Sequence, residues 1–325
     1  MLITVAICTR NRSASLARTL QSFERLAPIH QPWELLVVDN GSTDSTQDVI
    51  ASFAERLPIR REIAPIPGVA NARNAATASA RGTYMACTDD DVIVGADWLR
   101  AYVAAFARWP DAALFGGRII PVLEEPVTPW FTAAMSQLSL PLAARDLADT
   151  PIAFRPDGDT LPFGANYAVR TEVQRLFPFD PELGTGKEYF GEETTCFMAM
   201  LTAGQAGWWL PDSVVEHMIA PERQNEAYVA RWFKGLGRTE AWRGECQDGP
   251  RLLGAPRWLW RRVATRTFDY HLSRLHAPPE IWVRKLIALA QDQGRIAYFR
   301  TAGRKGRRKH LWETPALLRR KSDVQ

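Results

Sequence analysis

The 325-residue chain has no run approaching the roughly 20 apolar residues that cross a bilayer. Its start, MLITVAICTRNR, has no charged segment ahead of the apolar run and no small-residue cleavage site after it. A spanning helix and a signal peptide are therefore not expected, and any membrane contact should be peripheral. Cysteine is scarce: Cys8, Cys87, Cys196 and Cys246 lie far apart and form no CxxC pair. This pattern argues against a disulfide framework and suits a reducing, cytoplasmic compartment, with the inner face of the plasma membrane as a site of peripheral attachment. Glycine is missing from TRNRS, the turn after the first apolar run, where a dinucleotide fold needs GxGxxG so that backbone can approach pyrophosphate. NAD binding is accordingly not expected. Acidic residues thin out at the end: residues 251–325 carry 18 Lys and Arg against 5 Asp and Glu, whereas residues 1–250 carry 22 against 31. Net charge thus changes from −9 to +13 along the chain, and its two parts should meet different partners.

What is present is an ordinary globular composition, 46% hydrophobic and 23% charged, sufficient for a buried core. Strand and helix patterns alternate through the first half. LITVAIC and WELLVVD read as buried strands, IRREIA as a short third and TYMACT as a fourth. Between them, Ser13 is placed to cap a helix carrying Leu16, Leu20 and Phe23, NGSTDS is rich in capping residues, and ANARNAATASAR is an Ala-rich helix. A helix at about 97–109, a strand at about 112–120, a strand in LPFGANYAV, a helix from Glu192 to Leu201 and a strand in WWLPDSVVEHM follow. From about Gln224 the chain reads as three helices. This order implies an α/β fold, a mixed but mainly parallel sheet with helices on both faces, plus a C-terminal helical extension. Residues 1–223 form the expected catalytic domain, with its nucleotide-binding half over about 1–120 and its acceptor half over about 121–223. The basic extension occupies 224–325. In such sheets ligands bind beyond the carboxyl ends of the strands, where Thr9 to Arg12, Asp39 to Asp44 and Asp89 to Asp91 should converge.

The third cluster, in YMACTDDDVI, sets three carboxylates side by side at a strand end. They raise one another's pKa values unless cations or donors offset the charge. A divalent ion with hard-oxygen ligands and a bound diphosphate would do so; an acidic cluster stabilising a following helix N-terminus is the plainer alternative.

VAICTRNR, LLVVDNGSTDST, GVANARNAA and TDDD in this order resemble the family 2 inverting glycosyltransferases of the GT-A fold, and FGANYAVR, FDPELGTGKEYFGEE and VVEHMIAPER continue the likeness over roughly residues 1–240. The resemblance implies that Thr9, with Arg10 beside it, and Asp39 hold the base of a nucleotide-diphosphate sugar, UDP favoured, with Arg73 nearby. It implies an Mn²⁺ or Mg²⁺ ion on Asp91, completed by His217 and by Asp89, with Asp89 or Asp90 on the ribose or behind the ion. It places the catalytic base in Gly191-Glu192-Glu193, at Glu193 or Glu192, although Thr195 stands where the family pattern continues with another acid. It puts Asn166 at the wall of the sugar or acceptor pocket; an asparagine there could equally be a turn residue. VARWFKGLG keeps Arg231 and Trp232 of the QxxRW motif of processive relatives but lacks its glutamine, so a single addition per binding event is expected.

The expected function is transfer of a sugar to a hydroxyl of a cell-envelope glycan or lipid-linked saccharide. The alternatives are a sugar nucleotidylyltransferase, whose Gly-rich loop TRNRS does not match, and a non-catalytic nucleotide-sugar-binding partner protein. Residues 300–321 carry nine Lys and Arg against Glu313 alone. With tryptophans 258, 260, 282 and 312 interleaved among arginines, this end is expected to meet an anionic membrane surface rather than nucleic acid, for which no stacking platform accompanies the charge.

Overall fold

Alternation at period two decides which face each strand residue serves. In β1 (Ile3–Thr9), Ile3, Val5 and Ile7 enter one apolar layer and Ala6 the other. In β2 (Trp33–Asp39), Leu35 and Val37 oppose Leu36 and Val38 in the same way. Such near-continuous apolar runs are what central strands covered on both sides require. The computed structural model describes residues 1–302 except 157, 185–186 and 245–248. Cys246, Trp312 and the basic run beyond 302 therefore lie outside the described residues.

β3 (Ile59–Ile63), β4 (Tyr84–Asp89), β5 (Val92–Val94), β6 (Ala112–Leu123), β7 (Asn166–Arg170) and β8 (Ala206–Ile219) complete an eight-stranded sheet ordered β3-β2-β1-β4-β7-β6-β8-β5. The first four strands of that order pair in parallel, as do β6 and β8. β7 runs antiparallel to β4 and β6, and β5 antiparallel to β8. The expected mixed, mainly parallel sheet is present. LPFGANYAV, expected as one strand, pairs only from Asn166 onward, opposite Thr88 near the end of β4.

One face of the sheet is covered by α1 (Ser13–Phe23), α2 (Thr46–Ser52) and, beyond α3 (Val69–Ser79), by α4 (Trp98–Arg108), which bury Leu16, Phe23, Ile50, Trp98 and Phe106. The other is covered by α3, through Ala72 and Ala76, and by two later helices named below. Ser13 does not cap α1. It is the first helical residue, and its N–H donates to Asp44 Oδ2 at 3.0 Å, so a neighbouring turn satisfies the free amide.

After the short α5 (Pro129–Ala133), α6 (Thr171–Leu176) and α7 (Glu192–Thr202) add Val173, Phe197 and Met200 to the second face. The three C-terminal helices are α8 (Glu226–Trp242), α9 (Arg257–His276) and α10 (Pro279–Ala302), with an unforeseen hairpin of β9 (Arg251–Leu252) and β10 (Ala255–Pro256) before α9. α8 and α10 cross with their backbones nearly touching: a Cβ on Gly237 would lie 1.9 Å from the Gln291 carbonyl oxygen, and one on Gly294 2.0 Å from that of Lys234. Val229 and Phe233 of α8, Trp282 and Leu286 of α10, Phe131 of α5 and Ile219 of β8 share one core, which fixes the helices to the sheet edge beside β8.

Of the tryptophans expected to face a membrane, Trp282 is buried, Trp258 and Trp260 are half-buried, and Trp312 lies outside the described residues. Trp282 is 2% exposed, and Trp260 donates its indole N–H to the Leu252 carbonyl at 2.8 Å. The exposed apolar residues of α9 are instead Phe268, Leu272 and Leu275. Among the described residues no helix is long and apolar enough to cross a membrane.

Candidate active site

Parallel register brings the first three polar clusters to one edge. Thr9 ends β1 opposite Asp39 of β2, and Cys8 lies opposite Asp89 of β4. Thr9 Oγ1 donates to Asp90 Oδ2 at 2.7 Å, while Asn11 Oδ1 accepts from the Thr43 N–H at 2.7 Å. The clusters are thus joined by hydrogen bonds, not merely near one another.

The aspartates are neutralised chiefly by an arginine that sequence reasoning did not single out. Arg12 Nη1 sits 2.7 Å from Asp90 Oδ1 and its Nη2 2.8 Å from Asp91 Oδ2, a fork spanning two carboxylates at the short distances of charge-assisted bonds. Arg10, expected at the nucleotide, is exposed and joins none of these pairs. Asp90 is buried with its oxygens on Thr9 and Arg12, so it faces inward and not toward a ribose. Asp89 keeps 39% of its side chain exposed and lies 3.7 Å from Arg73 Nη2.

Asp91 and His217 meet because β5 pairs with β8 in the register Val92 to His217, and the Met218 N–H donates to the Asp91 carbonyl at 2.8 Å. His217 Nδ1 lies 2.7 Å from the Leu142 carbonyl oxygen. A carbonyl only accepts, so Nδ1 carries the proton and the Nε2 lone pair is turned inward, the arrangement usual for a metal-ligating imidazole. Asp91 Oδ1 lies 3.4 Å from that nitrogen and is buried without a hydrogen-bond partner. These two acceptors fit a small divalent ion, which takes one or two protein ligands and fills its other positions with phosphate oxygens and water. Asp89, expected as a further ligand, is turned to Arg73 instead; among the described residues no three His, Cys, Asp or Glu side chains gather as a metal-binding group.

Arg73, expected beside the diphosphate, is buried against the carboxylate pair. Its Nη1 donates to Glu192 Oε1 at 2.7 Å and to Glu193 Oε2 at 3.3 Å. Gly164 permits this approach, since a Cβ there would lie 2.3 Å from Arg73 Nη2. Burial, and then the neighbouring charge of Glu193, push the Glu192 carboxyl up to about 8 against the pull of Arg73. Burial would raise Glu193 too, but Arg73 and a hydrogen bond from Glu192 outweigh it and hold Glu193 below its ordinary value. The pair therefore shares one proton, resident on Glu192, and leaves Glu193 ionised with 22% of its side chain exposed. Thr195 Oγ1 donates to the Gly191 carbonyl at 2.8 Å, an ordinary bond within its own helix that takes no part in this group.

Asp39 is 1% exposed and already holds donors from the protein: the Ser42 N–H at 2.8 Å and Arg61 Nη2 at 2.6 Å. Burial would raise it, and these donors more than offset that, leaving it below the ordinary carboxylate range. Arg61 was also overlooked. Register pairs Asp39 with Ile63, so period-two counting along β3 would have put Arg61 on the same side.

Asn166 does not line a pocket. It is fully buried; its Oδ1 accepts from Trp98 Nε1 at 2.8 Å and Tyr102 Oη at 2.7 Å, and its Nδ2 donates to the Arg118 and Ser213 carbonyls, each at 2.9 Å. Its hydrogen-bonding capacity is spent on tying α4, β6 and β8 together. Arg223, the third arginine missed, returns from the turn after β8 to place Nη1 3.2 Å from His217 Nε2 and 3.4 Å from Asp91 Oδ2.

Residues 4–154 match the family model described as glycosyl transferase family 2. Validoxylamine A glucosyltransferase of Streptomyces hygroscopicus subsp. jinggangensis is 37% identical over 108 residues, which are 33% of this chain and 26% of that protein. Glucosyl-dolichyl phosphate glucuronosyltransferase of Haloferax volcanii is 27% identical over 124 residues, 37% of this chain and 39% of that protein. The chain thus spans about a quarter of the first curated relative it matches. Among solved structures, mannosyltransferase PcManGT from Pyrobaculum calidifontis, in complex with GDP-Man and Mn²⁺, superposes with a TM-score of 0.52 at 20% identity, covering 94% of this chain and 75% of the other. TarS of S. aureus in complex with UDP gives 0.53 at 15% identity, covering 95% and 93%. The sheet order and these superpositions agree: the chain has the GT-A fold of the solved glycosyltransferases, and its residues 4–154 match the glycosyl transferase family 2 model.

Proposed function

We propose that this chain is an inverting, metal-dependent glycosyltransferase that moves a sugar from a nucleotide diphosphate to an acceptor hydroxyl, one sugar per binding event. The observation that carries the reading is a pair of adjacent carboxylates on one buried arginine, Glu192 buried and Glu193 partly exposed beside it. Glu193 takes the proton of the acceptor hydroxyl. The hydroxyl oxygen then attacks the anomeric carbon from the face opposite the diphosphate, whose bond to that carbon breaks with the electron pair leaving on phosphate oxygen. Asp91 and His217 would hold the Mn²⁺ or Mg²⁺ that, when bound, offsets charge on the leaving diphosphate. Arg73 fixes both carboxylates and orders Asp89 beside them. Asp39 and Thr9 stand at the strand ends where the nucleotide of such a fold sits. PcManGT bound to GDP-Man and Mn²⁺ and TarS bound to UDP support a nucleotide-sugar donor.

Glu193→Gln is expected to lower the rate of nucleoside diphosphate release by about 10²–10⁴-fold, the usual value of a general base, while Glu192→Gln, which keeps the proton that Glu192 already holds, costs far less. Equal losses in both, or none in either, would contradict this assignment.

The acceptor is read as a cell-envelope glycan or lipid-linked saccharide. Phe268, Leu272 and Leu275 recur at helical spacing on the exposed side of α9, with Arg257 and Arg261 exposed on the same helix. This supports contact with an anionic lipid surface. The chain should sediment with phosphatidylglycerol vesicles at low salt and not with phosphatidylcholine vesicles, and Phe268→Asp with Leu275→Asp should release it. Sedimentation indifferent to those changes would remove this surface from the account.

A further inference from the structure

The Asp91–His217 pair already has a cation of its own, Arg223, which meets it only through long contacts. Arg223 Nη1 can only donate, so His217 Nε2 accepts from it at 3.2 Å with Asp91 Oδ2 at 3.4 Å. Both contacts are longer than the 2.8 Å that Arg12 makes to the same carboxylate, and longer than the roughly 2.7–2.9 Å of strong charge-assisted bonds. Arg223 is otherwise held by the Pro141 carbonyl at 2.9 Å on Nη2 and by Tyr228 Oη at 3.0 Å on Nε, with its guanidinium 5.6 Å from the Tyr228 ring centroid. Its side chain is 22% exposed, and it stands on the three-residue turn Pro221–Arg223 just after β8.

We infer that Arg223 is a resident cation that holds the metal position before the donor arrives, then yields it to the divalent ion and turns to the donor's diphosphate. This rests on the proposed metal-dependent reaction. The physical ground is that a guanidinium and a divalent ion cannot use the same nitrogen lone pair, and at such short range their repulsion is strong. A diphosphate offers the displaced guanidinium a better, bidentate partner. Arg223 is thereby a positioning residue that couples two ligands: metal expels the arginine, nucleotide receives it, and each tightens the other by the same factor.

The test is Mn²⁺ binding followed by the electron paramagnetic resonance signal of free Mn²⁺, with and without UDP or GDP, in the full chain. Arg223→Gln should bind Mn²⁺ about five- to tenfold more tightly than the wild type when no nucleotide is present, and should lose most of the gain that nucleotide confers. Arg223→Lys keeps the charge and covers the case in which the glutamine variant does not fold. It should retain the weak nucleotide-free Mn²⁺ binding and lose part of the coupling. Mn²⁺ affinity and coupling unchanged in folded Arg223→Gln, or coupling unchanged in Arg223→Lys, would overturn the inference and leave the metal reading standing. If the wild type binds no Mn²⁺ even with UDP or GDP, the metal reading itself falls.

Discussion

Glu192 and Glu193 are neighbours with opposite chemistry because the first turn of α7 directs one into the protein and the other toward its edge. Their difference has a consequence for stability. The folded state retains a proton on Glu192 up to about pH 8, whereas in the unfolded chain that carboxyl ionises near its ordinary value of 4.5. Between about pH 5 and pH 8 the folded state therefore binds more protons, and stability falls as pH rises. Melting temperature should decline across that window in the wild type and decline less in Glu192→Gln; parallel declines would contradict the protonation assigned here. At this scale the carboxylates were legible in the sequence because acids in a row at a strand end are conspicuous. Their cations were not. Arg12 reaches Asp90 and Asp91 across 78 and 79 residues, and Arg223 reaches Asp91 across 132, so only the fold reveals which of many arginines is used.

Strands and helices were legible where one periodicity ran without interruption. β1, β2 and β4 are apolar on both faces, and α1, α4 and α7 carry apolar residues at helical spacing. Asn166 was misplaced because the resemblance put that position at a pocket wall, while its side-chain hydrogen bonds run to α4, β6 and β8, which sequence cannot show meeting. The α8–α10 crossing was equally invisible, since a glycine within a helix reads as a weakness until a second backbone is found against it. Gly237→Val should cost about 3 kcal/mol by forcing the helices apart, read as a lower urea midpoint. An unchanged midpoint would show that the two helices separate freely.

For the molecule as a whole, the split of charge noted in the sequence corresponds to a split of architecture. The acidic part builds the sheet and sets Asp89 and Asp91 at one edge, where Arg12, Arg73 and Arg223 meet them. The basic part begins as helices that pack beside β8, sharing a core with Ile219, two residues from His217. Which face of α9 stays exposed depended on how α8 and α10 pack, which composition does not show. In the proposed reaction Asp91 and His217 form a metal station serving transfer from a nucleotide sugar. Its most direct test is nucleoside diphosphate release from a panel of sugar nucleotides, with and without Mn²⁺, by the wild type and by Asp91→Asn. Release from at least one donor is expected to require Mn²⁺ and to be lost in Asp91→Asn; release that needs no metal and survives that substitution, or no release from any donor, would rule out the metal station.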